Sequence, residues 1–255
     1  MTNKWWFKYL LLLRLTAFVS IAGLLACAGN SPNTLLSQPK IDKAVGNTVK
    51  SSDYNILQYD DLDYFSEIAF GSEYGFSNYE IKKWENDVEL QVMGHPTQQD
   101  IAALAAVIAD LNQLISPNLH ITLVENGGNA EIHFIPHSEF YQFELPGLLF
   151  YGGFFRNWWQ ANGEIYRGLV VIGTDKTDQE LRTHLIREEL TQMLGLMNDS
   201  VKYPDSIFFQ ANSLTDKFSA LDMRLIRYLY SNAIQPGMNM NEVRNRLKND
   251  LAKTN

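Results

Sequence analysis

The densest run of side chains able to hold a proton or a cation is His184-Leu-Ile-Arg187-Glu188-Glu189-Leu-Thr191-Gln192-Met-Leu194-Gly195-Leu196-Met-Asn198-Asp199. On a helix, residues four apart share a face, so His184, Glu188 and Gln192 form one stripe. Glu188, Gln192 and Asn198 offer one negative charge and oxygen donors. That hard set suits calcium, magnesium or no metal, whereas zinc favours imidazole and thiolate. The same amides can instead donate to the Glu188 carboxylate and close a metal-free polar network. His184 and Glu188 could also be two ligands of a different site. Glu189 is offset from Glu188 by about 100° around a helix, so it faces either that pocket or solvent.

These side chains need a helix, and the chain predicts one from Gln179 to about Leu194, capped by Asp178 and stopped at Gly195. Upstream, Ile81–Met93 alternates near its end and predicts a strand before a turn at Gly94. Thr97 predicts the cap of a second helix, with Ile101, Leu104, Ala105, Ile108, Leu111 and Ile115 on one face and Pro117 closing it. Short strands at Ile121–Glu125 and Ala130–Pro136 are expected to meet through the turn signal Asn126-Gly127-Gly128-Asn129. Gly168–Gly173 reads as a buried strand, and about Ser219 to Tyr230 as a further helix. This order predicts an α+β domain with one helix under a mixed sheet.

Between the strands lies an aromatic, glycine-rich excursion from Glu139 to Arg167. Leu145-Pro146-Gly147-Leu148-Leu149-Phe150-Tyr151-Gly152-Gly153-Phe154-Phe155-Arg156-Asn157-Trp158-Trp159 is unusually apolar for a connection. Tyr151, Phe154, Trp158 and Trp159 would form a lip over the cleft, stacking on a sugar or gripping a peptide or protein. Alternatively the rings fold back into a small core, which is the commoner fate of aromatic clusters. His95, His120, His133 and His137 carry no sign of convergence and are assigned no role.

The formal net charge of −8, without a basic patch, excludes nucleic acid as a partner. Apolar content of 45% excludes wholesale disorder. Met1–Tyr9 carries Lys4 and Lys8 and no acid, and Leu10–Ala26 is apolar except for Arg14, the layout of an export signal. Leu24-Leu25-Ala26-Cys27 resembles the bacterial lipobox, in which cleavage precedes a cysteine that receives a lipid. The resemblance implies residues 1–26 as a lipoprotein signal peptide, lipidation at Cys27 and a membrane anchor. Residues 27–58, rich in Asn, Ser, Pro, Gln and Lys at their start, read as a flexible tether. Ala28 is not the aspartate that retains such proteins in the inner membrane, so an outer-membrane lipoprotein facing the periplasm is expected.

The helix 178–194 also resembles the zinc-peptidase pattern H-E-x-x-H-x-x-G-x-x-H with its register kept and its ligands replaced. Glu188, Gln192 and Asn198 stand at the three ligand positions, Glu189 at the general-base position and Gly195 at the turn. Ser206-Ile207-Phe208 lies where metzincins have their methionine turn, with Phe208 for the Met, and Leu221-Asp222…Ile226…Leu229-Tyr230 is similar to their closing helix. Glu188-Glu189-x-x-Gln192-x-x-Gly195-x-x-Asn198-Asp199, Ser206-Ile207-Phe208 and Pro236-Gly237-Met238 more closely resemble a Gram-negative lipoprotein family of unknown function. Asn-Asp usually follows Ser-Ile-Phe in that family; here Phe209-Gln210 stand instead. The resemblance implies a zincin-like (metzincin-type) domain over residues 59–238, followed by a polar tail or helix at 239–255. It implies a degenerate metallopeptidase-like site, without zinc, that binds a peptide, glycan or envelope protein. The rival is a metal-dependent hydrolase with Glu189 as base and Glu188, Gln192, Asn198 and His184 around a divalent cation.

Overall fold

The computed structural model describes residues 57–71, 79–143, 152–210 and 213–254. Residues 1–56, with Cys27, and residues 144–151, with Tyr151, lie outside the described residues. A 3-10 turn at Tyr59–Asp61 leads into α1 (Leu62–Phe70), β1 (Lys83–Trp84) and β2 (Val88–Gly94). Then come α2 (Gln98–Ile115), β3 (Ile121–Val124), β4 (Ala130–Ile135) and a 3-10 segment at His137–Phe143. β5 (Gly153–Trp159) and β6 (Glu164–Gly173) precede α3 (Gln179–Met193), α4 (Ala220–Leu229) and α5 (Met240–Thr254).

The helices start where short polar side chains can take their first amides. Thr97 Oγ1 accepts from the Asp100 amide at 3.1 Å, and Asp100 Oδ2 accepts from the Thr97 amide at 2.9 Å. Asp178 Oδ1 caps α3 through the Leu181 amide at 2.9 Å, and Ser219 caps α4 through the Asp222 amide at 3.1 Å. The buried face of α2 is Leu104, Val107, Ile108, Leu111, Leu114 and Ile115, whereas Ile101 and Ala105 are exposed. Two apolar rows compete on this helix, and the one with more large side chains buries more area.

The sheet runs β1-β6-β4-β2-β3, all parallel, with β5 antiparallel against β6. The sheet is mixed, as expected, but mainly parallel, a mixed α/β arrangement in which α2 supplies the crossover from β2 to β3. Asn126-Gly127-Gly128-Asn129 does not close a hairpin. β3 and β4 both run parallel to β2 and flank it, so this loop carries the chain across β2. A Cβ on Gly128 would stand 2.1 Å from the Glu89 carbonyl oxygen, so the crossing requires glycine. Asn129 then stitches β2 down, accepting from the Glu89 amide at 2.8 Å and donating to the Asp87 carbonyl at 2.9 Å.

The hairpin lies instead inside the expected excursion, between β5 and β6. Gly163, at φ +88°, closes it, its amide donating to the Gln160 carbonyl at 2.9 Å. Alternation along the strands separates two layers. Phe155, Val170 and Ile172 face the main core with α1 to α5. Phe154, Leu169 and Val171 face the other way and pack with Ile135 and Phe140.

Candidate functional site

α3 is buried on all sides from His184 to Met193. A helix so enclosed is normally apolar, yet this one carries His184, Arg187, Glu188, Glu189, Thr191 and Gln192 into the interior. Each buried charge must therefore find a partner. Arg187 Nη2 reaches Asp110 Oδ2 on α2 at 2.8 Å, and its guanidinium lies 4.5 Å from the Phe218 ring centroid. Thr191 donates back to the Arg187 carbonyl at 2.6 Å.

His184 and Glu188, one turn apart, meet as the spacing predicts: Nε2 lies 3.2 Å from Glu188 Oε2. His184 Nδ1 donates to the Thr215 carbonyl at 2.8 Å. Burial alone would lower the imidazole pKa, but the Glu188 carboxylate and the Thr215 carbonyl outweigh it and raise the pKa above 6.5. Glu189 takes the inward of its two orientations. It is buried beneath β5, where a Cβ on Gly153 would stand 3.3 Å from its Oε1.

The two amides also reach partners beyond α3. Gln192 Nε2 donates to Asp199 Oδ1 at 2.7 Å, and Asn198 Nδ2 donates to the Glu67 carbonyl at 3.1 Å. Asn198 thus adds a second donor to the Glu67 carbonyl, which already accepts from the Gly71 amide at 3.1 Å, and Gly71 leaves it room, since a Cβ there would lie 2.4 Å from its Cγ. Gly195, at φ +116°, makes the turn that brings Asn198 and Asp199 back, pressed against the Lys82 carbonyl.

Of Glu188, Gln192, Asn198 and His184, the structure pairs His184 with Glu188, while Gln192 donates to Asp199 and Asn198 to the Glu67 carbonyl. Among the described residues, no cluster of three or more His, Cys, Asp or Glu is placed to hold a metal ion.

Ser206-Ile207-Phe208 is fixed from α4. Asp222 accepts from Ser206 Oγ at 2.6 Å and from the Ile207 amide at 3.0 Å, while the Tyr64 hydroxyl donates to Ser206 at 2.8 Å. Burial pushes the Asp222 pKa up against those hydrogen bonds. Nothing in the local sequence marks Tyr64 or Asp222 for this contact, although Ser219-Ala-Leu-Asp222 has the form of a capping box.

The expected lip is divided by the pleat of β5. Phe154 is fully buried on the face away from α3, with Phe140 and Phe143 at 5.4 and 6.0 Å between ring centroids. Trp158 shares that face, so both rings lie on the side of the sheet opposite α3. Trp159 is 45% exposed and has Lys82 Nζ 5.8 Å from its ring. Of the other histidines, His133 pairs with Glu131 at 2.7 Å and His137 with Asp175 at 2.5 Å.

No curated protein sequence matches the chain. Among solved structures, one of myroilysin is 12% identical at a TM-score of 0.39, covering 60% of this chain and 98% of that chain. A second structure of myroilysin gives 11% and 0.40, covering 72% and 97%. Archaemetzincin from Methanopyrus kandleri gives 11% and 0.30, covering 65% and 96%. A family model described as "Protein of unknown function (DUF2927)" matches residues 60–249. With about three quarters of its length inside that match, the chain belongs to the DUF2927 family.

Proposed function

We propose that this is a lipid-anchored protein of the outer membrane, facing the periplasm. Its domain keeps a zincin-like arrangement and binds an extended peptide segment of a partner without zinc chemistry. The observation that carries this reading is the position of β5. It is antiparallel, pairs with β6 alone among the described strands, and passes directly over the buried carboxylate of Glu189. A strand with one unpaired edge accepts another strand through main-chain hydrogen bonds. The polar groups beneath it serve to hold α3, α1 and the turn after Gly195 together.

The rival reading, a metal-dependent hydrolase with Glu189 as general base, draws on the burial of two adjacent glutamates at the site. One experiment separates the two. The protein, purified without chelator, is assayed for bound metal and titrated with an extended peptide library before and after EDTA. Unchanged peptide binding after EDTA, lost when the peptide backbone is N-methylated, is the expected result. Stoichiometric metal that disappears in Glu188→Ala together with peptide cleavage would overturn the proposal.

A further inference from the structure

The sheet face turned away from α3 carries a cavity of about 180 Å³, lined by Glu131, Gln142, Phe143, Arg156, Trp158, Arg167 and Leu169. Two guanidiniums share the indole at its wall, Arg156 at 5.7 Å and Arg167 at 5.0 Å from the Trp158 ring. Such cation–π contacts hold the planar donor groups in place before any ligand arrives. Arg156 Nη2 is engaged with the Phe143 carbonyl at 3.0 Å. Arg167 is not similarly engaged: its side chain is 57% exposed and its nearest carboxylate oxygen, Glu131 Oε1, is 3.7 Å away. That separation is too long for a hydrogen bond. The other oxygen of Glu131 faces His133 Nε2 at 2.7 Å.

We propose that this cavity binds a small hydroxycarboxylate carrying one negative charge, of the size of a single sugar acid. Arg156 and Arg167 against Glu131 leave one positive charge in a protein whose net charge is −8, so the cavity runs against the molecule's overall sign. One excess positive charge matches a carboxylate better than a dianionic phosphate. The fork of Arg167 fits a carboxylate in two parallel hydrogen bonds. Glu131 Oε1, beside it, accepts from a neighbouring hydroxyl of the same ligand. The volume equals that of roughly six water molecules, enough for one sugar ring and too small for an extended chain. This site lies on the opposite face of the sheet from α3 and does not depend on the function proposed above.

The test uses the whole protein, with glucuronate as probe, glucose as its uncharged counterpart and glucose 6-phosphate as the dianion, read by calorimetric titration. Glucuronate is expected to bind with salt-sensitive affinity and glucose not to bind. Arg167→Gln weakens glucuronate binding at least about tenfold, equivalent to about 1.4 kcal/mol. Arg167→Lys restores only part of it, because lysine keeps the charge without the fork. Both variants should melt as the parent does, since Arg167 is a surface side chain. Absence of saturable glucuronate binding at millimolar concentration, equal binding by glucose, tighter binding of glucose 6-phosphate, or an Arg167→Gln protein that binds normally would each overturn the proposal.

Discussion

Asp100 has no exposed surface and joins the starts of two helices that the sequence keeps far apart. It accepts from the Thr97 amide and hydroxyl at 2.9 and 2.8 Å, from Gln179 Nε2 at 2.9 Å and from Arg182 Nε at 3.0 Å. Burial alone would raise its pKa, but the hydrogen bonds from Thr97, Gln179 and Arg182 outweigh it and hold the group below its ordinary 3.8. A carboxylate whose folded pKa is depressed contributes stability above its unfolded pKa and loses it as pH falls through the folded one. Asp100→Asn is therefore expected to cost about 3 kcal/mol at pH 7, because it leaves the partly buried Arg182 without its counter-charge. Urea denaturation at pH 7 and again below pH 3.8 should show the gap between parent and variant shrinking in acid. What was legible here is the local half. Thr97 and Asp100 stand three residues apart and could be read as a cap, whereas Arg182 lies 82 positions away and could not be matched to them. Asn198 teaches the same thing: its partner, the Glu67 carbonyl, is 131 positions distant.

For whole elements, two Asn-Gly pairs make the lesson concrete. Asn162-Gly163 closes the β5–β6 hairpin, while Asn126-Gly127 sits in a loop that crosses over β2. The dipeptide reports a backbone able to turn, not which strands the turn will join. Strand pairing is decided by partners distant in sequence, here the register of β2 against both β3 and β4. Helices were easier to place because caps and apolar periodicity are local, and α2, α3 and α4 begin at the predicted residues. Neighbouring glycines in the crossing loop should respond unequally to alanine. Gly127 has φ +78° and open space around it, so Gly127→Ala pays only the left-handed backbone penalty, about 1 kcal/mol. Gly128→Ala drives a methyl into the Glu89 carbonyl, and overpacking of that kind costs about 3 kcal/mol. Thermal melting of the two variants should rank them in that order.

Taken as a whole, the chain has one cysteine and so no disulfide of its own; its stability rests on the core that gathers α1 to α5 against the sheet. If Cys27 serves the membrane and not the fold, Cys27→Ser should abolish incorporation of labelled fatty acid and leave the melting temperature unchanged. Persistent labelling would remove the anchor from the proposal. Enclosure of α3 from His184 to Met193 reaches beyond packing. A helix walled in on every side has no face from which to fray, so its amides exchange with solvent only when the entire cooperative unit opens. Glu188 and Glu189 are consequently as durable in position as the domain itself, and evolution could alter their chemistry only by exchanging side chains within a rigid frame.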